Sequence, residues 1–172
     1  MPEKARVILI TGDGKGKTTA ALGMVMRSLA HRRQVLLARF CKTGPSGELV
    51  ILQRLGGTRI ISSECGRPPA REDPDFSRHA EAAQQLWEDV LELLPVPDLL
   101  VLDEVCLAVG RGLLDEAEVL AGLEKLRPNQ VAILTGRQAS LGLIARADTV
   151  SDCLNLKHAF ARGRSAEPGI EF

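Results

Sequence analysis

The chain has 172 residues, 45% of them hydrophobic, and its 22 lysines plus arginines balance 22 aspartates plus glutamates, which predicts a single globular domain over residues 1–172. The balanced charge argues against a broad nucleic-acid-binding face; the strip Ala161-Arg162-Gly163-Arg164 could form a local one but is more typical of a solvated loop. No apolar run approaches the roughly 20 residues that span a bilayer, and the N-terminus has neither the apolar length nor the cleavage site of a signal peptide.

Strand and helix signals alternate along the chain. Short apolar runs that end in turn residues predict buried parallel strands, and helix formers with apolar residues at helical spacing predict helices. The predicted strands cover residues 6–11, 34–40, 58–62, 98–104, 130–136 and 149–156, and the predicted helices cover 18–30, 76–94, 115–126 and 140–147. This alternation indicates an α/β fold, a mainly parallel sheet with helices on both faces.

A glycine-rich turn, TGDGKGKTT at residues 11–19, joins the first strand to the first helix. It resembles the phosphate-binding pattern Gly-x4-Gly-Lys-Ser/Thr, but position 11 is a threonine, and the first glycine, Gly12, comes one residue late. Glycines allow positive φ and close approach to an anion, and the helix start adds positive potential. In such a loop Lys17 supplies a charge to phosphates and Thr18 a hydroxyl to Mg²⁺. A glycine-rich turn without a ligand is the alternative.

Two later strands end in polar residues. Asp103 and Glu104 close an apolar strand, where nucleotide enzymes keep the acids that organise a metal ion, although many strands end in an acid beside a loop. Thr135-Gly136-Arg137 ends the next strand. Ligands of open α/β sheets collect at the carboxyl edge, so Arg137 is either a site residue or an ordinary surface arginine.

The cysteines and histidines carry no recognisable site. Cys41, Cys65, Cys106 and Cys153 are widely spaced and include no C-x-x-C pair, so we expect free thiols, no zinc and a cytoplasmic location. The histidines, which are His31, His79 and His158, form no catalytic arrangement with a serine or cysteine, and His31 is typical of a helix end. From its residues alone, the chain is a compact phosphate-loop nucleotide enzyme that uses Mg²⁺.

Several segments together resemble one family, the ATP:corrinoid adenosyltransferases of cobalamin salvage and cobyrinic acid a,c-diamide adenosylation. In chain order these are GDGKGKTTAALG, ARFCKTGPSGE, LVLDE, LTGR, ADTVSDCLNLKHAF and PGIEF. The resemblance covers nearly the whole chain and implies a P-loop NTPase-like (RecA-like) fold. It also implies that a reduced cobalt(I) corrinoid attacks the 5′ carbon of ATP and that triphosphate leaves. The implied partners are a second copy of the chain and an electron-donating flavoprotein or other reductant.

The resemblance also implies roles for individual residues. Cobalt(I) is itself the nucleophile, so the protein positions ATP and neutralises the triphosphate without a general base. Lys17 and Glu104 are then the catalytic residues, and Thr18 and Glu104 hold Mg²⁺. The expected ATP-binding residues are Gly12, Asp13, Gly14, Lys15, Gly16, Lys17, Thr18, Thr19, Arg27 and Arg137.

The chain departs from this family at two places. Family members commonly carry a Phe-x-Trp pair in the loop after the third strand, where it packs against the lower corrin face and excludes the lower cobalt ligand. Here the corresponding place, within the Pro-rich segment 65–74, is Arg67-Pro68-Pro69. The chain also starts only a few residues before its first strand, so we expect it to lack the N-terminal arm that some relatives fold over the nucleotide.

Two other functions fit the residues. One is a small ATPase or kinase acting at the γ-phosphate; the other is a corrinoid or nucleotide carrier without turnover, which the missing aromatic pair favours. The phosphate product separates the first of these from adenosyl transfer.

Overall fold

The computed structural model describes residues 4–158, 163, 165–167, 169 and 170. The strands are β1 (Arg6–Thr11), β2 (Val35–Arg39), β3 (Thr58–Ser62), β4 (Leu99–Asp103), β5 (Val131–Thr135) and β6 (Thr149–Asp152). The helices are α1 (Lys17–Ala30), α2 (Gly47–Leu55), α3 (Phe76–Leu93), α4 (Val105–Gly110), α5 (Glu116–Leu123) and α6 (Leu141–Arg146).

The six strands form one sheet in the order β3-β2-β4-β5-β1-β6, and all neighbouring pairs are parallel. β5 therefore lies between β1, which enters the glycine-rich turn, and β4, which ends in Asp103. All the strands end at the same edge, so the turn and the polar strand ends lie along one side of the sheet. This arrangement confirms the predicted α/β fold with a parallel sheet.

Each face of the sheet is covered by its own apolar core. On β4, Leu100 and Leu102 belong to one core cluster, and Leu99 and Val101 belong to the other, because successive strand residues point to opposite faces. Helices α3 to α6 supply the first cluster, where Trp87 is 1% exposed, and α1 and α2 supply the second. The expected helices on both faces are present, and Trp87 is a core residue as predicted.

The element boundaries differ from the predicted ones at several places. The strand expected to include Glu104 ends at Asp103, since Glu104 adopts left-handed backbone angles with φ of 62°. The last strand covers four residues instead of the predicted eight. The short helices α2 and α4 were not predicted. The apolar run of four residues in α2 cannot be distinguished from a strand by periodicity, and α4 begins directly after β4 without an intervening turn signal.

Part of the C-terminal sequence carries predictions that the structure does not describe. Ala161, Arg162 and Arg164 of the basic strip lie outside the described residues, as do Pro168, Glu171 and Phe172 of the PGIEF ending. Among the residues that are described, no helix combines the length and the apolar character needed to cross a membrane.

Candidate functional site

The glycine-rich turn packs against the backbone that follows β6. Gly12 and Gly16 have φ of 99° and 112°, as expected for a phosphate loop, but Gly14 does not adopt a positive φ. Gly14 is required by space instead: a Cβ there would lie 2.6 Å from the carbonyl oxygens of Cys153 and Leu154. The Gly14 amide also donates to the Cys153 carbonyl at 2.6 Å. The segment that follows β6 therefore supports the turn, a contact that the sequence did not reveal.

Lys17 lies inside the turn at the start of α1. Its Nζ donates to the carbonyl oxygens of Gly12 and Gly14, each at 2.6 Å, and the residue is 7% exposed. Burial, followed by the nearby Arg137 charge, lowers the pKa of Lys17. The turn thus encloses its own ammonium group, and a bound phosphate would take over hydrogen bonds that these carbonyls now accept.

Asp103 is the centre of a buried polar network at the end of β4. The residue is 2% exposed. Its Oδ1 accepts hydrogen bonds from the hydroxyls of Thr18 (2.9 Å) and Thr135 (2.7 Å), and its Oδ2 accepts from Lys42 Nζ at 2.5 Å. Lys42 Nζ also donates to Thr18 Oγ1 at 3.0 Å. The network joins the phosphate turn to the ends of β2, β4 and β5.

Sequence reasoning favoured a functional role for the pair Asp103-Glu104 but named only Glu104 as a site residue. It noted Thr135 only as part of a strand end and gave no role to Lys42. A usable signal existed for Asp103. As the last residue of a strand that is buried throughout, it had to point into the protein beside the turn, whereas Glu104 begins the next helix. Lys42 lies two residues after an equally buried segment, and spacing alone does not give the direction of such a flexible side chain.

Glu104 lies at the rim of the same site. Its backbone amide donates to Thr135 Oγ1 at 3.0 Å, which anchors the left-handed turn into α4. Burial raises the pKa of Glu104, and the adjacent Asp103 charge raises it further, while the cations of Lys42, Lys17 and Arg137 act in the opposite direction. Glu104 is therefore a partly desolvated carboxylate facing three cationic side chains.

A cavity of about 810 Å³ opens above the turn. Its polar side includes Lys17, Lys42, Glu104 and Arg137, and its apolar side comes from α1 and α2. The apolar wall consists of Leu22, Met26, Ile51 and Leu52. Small-molecule sites typically have volumes of about 300–1,000 Å³, so this cavity has room for a nucleotide. It also brings Lys17, Glu104 and Arg137 together, as the positions at the strand ends predicted.

Not all of the remaining predicted site residues line the cavity. Gly14 to Thr19 line it, whereas Gly12 and Asp13 do not, and Arg137 Nη1 lies 3.9 Å from Asp13 Oδ1 in an exposed ion pair. Arg27 is exposed in the last turn of α1 and is not among the lining residues. The structure therefore does not place Arg27 with the other expected ATP-binding residues.

The histidines and cysteines have different environments. His31 caps the C-terminal end of α1, as predicted, and His79 is buried on α3. His158, to which sequence reasoning gave no role, lines the cavity. All four cysteines are free thiols, and burial raises the pKa of Cys41 and of Cys106 to about 12. Within the part of the chain that the structure describes, no group of three or more His, Cys, Asp and Glu side chains is arranged to hold a metal ion.

A parallel α/β sheet with a phosphate-binding turn before α1 and a buried aspartate beside it defines a P-loop nucleotide-binding protein. The model of one family, ATP:corrinoid adenosyltransferase BtuR/CobO/CobP, matches residues 3–172. The chain belongs to this family. Its activity is the transfer of an adenosyl group from ATP to a corrinoid.

Curated relatives agree with the family match. A corrinoid adenosyltransferase of Pseudomonas aeruginosa is 35% identical over 173 residues, which cover 99% of this chain and 85% of the relative. Corrinoid adenosyltransferase CobA of Salmonella typhimurium is 33% identical over 174 residues, which cover 99% and 87%. A corrinoid adenosyltransferase of Escherichia coli K12 is 32% identical with the same coverage.

Proposed function

We propose that the chain transfers the 5′-deoxyadenosyl group of ATP to the cobalt(I) of a corrinoid, a cobalamin or cobyrinic acid a,c-diamide, and releases triphosphate. The observation that carries this proposal is that one cavity combines a cationic phosphate turn with an apolar wall from α1 and α2. The turn suits the triphosphate, and the apolar wall suits contact with a second, less polar substrate.

In the proposed reaction the cobalt(I) electron pair forms a bond to the 5′ carbon of ATP. The bond from that carbon to the triphosphate oxygen breaks, and its electron pair leaves on the triphosphate. No proton has to be removed, so the protein contributes orientation and charge. We assign the triphosphate to the amides of the turn and to Lys15, Lys17 and Arg137, with Asp13 holding Arg137 from outside the cavity.

We also propose that the nucleotide binds with Mg²⁺. Thr18 Oγ1 and the Asp103 carboxylate lie 2.9 Å apart beside the turn, and Glu104 lies at the cavity rim. Hydroxyl and carboxylate oxygens fit this ion, which in nucleotide sites takes one or two protein oxygens together with phosphates and water. When bound, Mg²⁺ supplies positive charge that stabilises the departing triphosphate. Asp103 joins the predicted pair of Thr18 and Glu104 as a candidate ligand.

Several broader features belong to the same proposal. We propose a single domain over residues 1–172, supported by one continuous sheet in the described residues. A cytoplasmic location is supported by four free cysteines. We further propose a homodimer and a flavoprotein or other reductant that delivers electrons to cobalt, since the reaction needs cobalt(I). Binding to nucleic acid is not part of the proposal, because the net charge is zero.

Identification of the phosphate product tests the proposed reaction. The protein is incubated with ATP, Mg²⁺ and a chemically reduced corrinoid, and the products are separated by anion-exchange chromatography. We expect triphosphate and an adenosylated corrinoid in equal amounts. ADP or orthophosphate as the main product would instead support a γ-phosphate ATPase or kinase, and binding of both substrates without any product would support a carrier.

A further inference from the structure

Lys42 occupies an unusual place in the site. It follows β2, and its side chain, 26% exposed, extends to the carboxylate at the end of β4. Its Nζ lies 2.5 Å from Asp103 Oδ2 and 3.0 Å from Thr18 Oγ1. The ammonium group thus contacts both the hydroxyl after the phosphate-loop lysine and the acid of the neighbouring strand. These are the two protein groups that P-loop enzymes use to organise Mg²⁺.

The ammonium group and a magnesium ion cannot both contact these two oxygens in the observed arrangement. Mg²⁺ binds oxygen ligands at about 2.0–2.1 Å and keeps an octahedral shell, which would place it against the Lys42 nitrogen. Two cations this close together, beside a buried carboxylate, would also repel each other. Lys42 must therefore move before the oxygens of Thr18 or Asp103 can hold the ion.

In the protein without nucleotide, the Lys42 ammonium group stabilises the buried Asp103 carboxylate. Asp103 is 2% exposed, and a buried carboxylate without a charge partner is costly. The hydroxyls of Thr18 and Thr135 donate to Asp103, and Lys42 brings a full positive charge within hydrogen-bonding distance of it. Lysine suits an exchange of cations, because its charge sits on a flexible stem with freely rotating donors.

We propose that Lys42 is a displaceable cation: it neutralises Asp103 until Mg²⁺ binds the oxygens of Thr18 and Asp103, and in the nucleotide complex it turns to the triphosphate. This inference rests on the proposed use of Mg²⁺. Lys42 already lines the cavity beside Lys17 and Glu104, so a change of side-chain rotamer directs its ammonium group to the phosphates. Gly44, with φ of 74°, and Cys41, with φ of 52°, shape the turn that carries Lys42 above the end of β2.

The proposal predicts opposite effects on metal and on phosphate binding. Without Lys42 the ion meets no competing cation, so less Mg²⁺ is needed to fill the site. The triphosphate, however, loses a positive partner, so its affinity at saturating Mg²⁺ falls. A residue that only stabilised the fold would move both quantities in the same direction.

The test uses inorganic tripolyphosphate as the probe and isothermal titration calorimetry at a series of Mg²⁺ concentrations. In Lys42→Met we expect the Mg²⁺ concentration for half-maximal binding to fall by about ten-fold or more, since a full charge contact is removed, and the limiting affinity to weaken. Lys4→Met is the matched control, because it removes an exposed ammonium group that pairs with Glu124; it should behave as wild type. An unchanged Mg²⁺ requirement in folded Lys42→Met would overturn the proposal.

A second measurement uses the wild-type protein and does not depend on the variant folding. Lysine acylation is followed residue by residue by mass spectrometry with and without Mg²⁺ alone. We expect Mg²⁺ to accelerate acylation of Lys42 and to leave Lys4 unaffected. If Mg²⁺ at concentrations that support tripolyphosphate binding does not change Lys42 acylation, the displacement does not occur. If tripolyphosphate binding needs no Mg²⁺ in either protein, the proposed use of Mg²⁺ fails as well, which distinguishes the two failures.

Discussion

At the residue scale, the site is built from charges that are paired before any substrate binds. Lys17 is held by two backbone carbonyls and Lys42 by the Asp103 carboxylate. Such preorganisation limits the side-chain freedom that the substrate must remove on binding. In the proposed function, phosphate binding exchanges these partners of Lys17 and Lys42 for triphosphate oxygens.

Replacement of Lys17 tests the phosphate assignment. In Lys17→Ala the ammonium group is lost from the turn, and we expect kcat/KM for ATP to fall by about 10²-fold or more, the range found when one preorganised donor of developing charge is removed. The circular dichroism spectrum should remain that of a folded protein, since the core clusters do not include Lys17. Lys4→Ala serves as the control. Full activity in a folded Lys17→Ala protein would refute the role.

Glu104 gives a prediction about pH. Its pKa is raised by burial, so the folded protein holds this proton more tightly than the unfolded chain does. Stability is therefore lost as pH rises from the unfolded pKa through the raised folded value. Glu104→Gln removes the titration. We expect the free energy of unfolding of the variant to rise relative to that of wild type as pH increases over this window. The Mg²⁺-supported turnover of the variant should be lower than that of wild type.

Urea denaturation at pH values from about 2 to 8 measures the difference in stability between variant and wild type on both sides of the unfolded glutamate pKa of about 4.3. Glu124→Gln is a suitable control, because the pKa of Glu124 is lowered mainly by its hydrogen bond from Lys4. Its stability difference from wild type should have the opposite pH dependence. A Glu104→Gln difference that is constant across this range would contradict the assignment.

At the element scale, the loop after β3 carries Arg67-Pro68-Pro69 at the place where the family resemblance led us to expect a Phe-x-Trp pair. It starts beside the Lys42 segment, since a Cβ on Gly66 would lie 3.3 Å from the Thr43 methyl group. Arg67 is exposed and Pro68 is buried. Phe76, the nearest aromatic residue in the sequence, is partly buried and packs against the first core cluster.

This loop predicts a preference among corrinoids. Without an aromatic wedge below the ring, the attached base of a complete cobalamin competes for cobalt, so we expect lower activity than with cobyrinic acid a,c-diamide, which has no such base. Rates are compared from cobalt(II) under a mild reductant. The double variant Arg67→Phe/Pro69→Trp restores the aromatic spacing and should raise the cobalamin rate selectively. Equal or higher wild-type rates with cobalamin would show that the loop excludes the base in another way.

At the scale of the whole molecule, stability depends on helices packing on both faces of one sheet. In the first core cluster α3 and α5 pack closely together: a Cβ on Gly122 would lie 2.4 Å from Trp87 Cζ2. Trp87 is itself fully packed in the core. This helix packing supports the sheet whose carboxyl edge carries the site.

Gly122→Ala should therefore destabilise the molecule, although alanine is the better helix former. We expect the free energy of unfolding to fall by about 1–3 kcal/mol from overpacking, measured by urea denaturation. Gly23→Ala is the matched control on α1: a Cβ there meets no atom within 4 Å, so this change should stabilise by about 0.5–1 kcal/mol. Equal effects of the two substitutions would show that the Trp87 contact does not limit stability.

The sequence by itself determined the fold class and the location of the site. Alternating apolar runs and helical patterns specify a parallel sheet, because burial on both faces demands continuous apolar strands. The glycines and the lysine of the turn from Gly12 to Thr18 indicate a phosphate ligand. Because each of them follows the end of a parallel strand, Lys17, Glu104 and Arg137 were expected at the carboxyl edge. These residues could be predicted because local spacing and backbone direction alone decide them.

Only the tertiary structure decided which atoms meet. Asp103 lies at the centre of the network, Lys42 reaches it from β2, and the segment after β6 requires Gly14 to be small. Arg27 lies away from the cavity. Each outcome depends on a flexible side chain or on contact between segments far apart in the chain. The periodicity of the local sequence does not predict such contacts. The physical reason is that burial of Asp103 requires a nearby charge, and only the packed sheet determines which lysine supplies it.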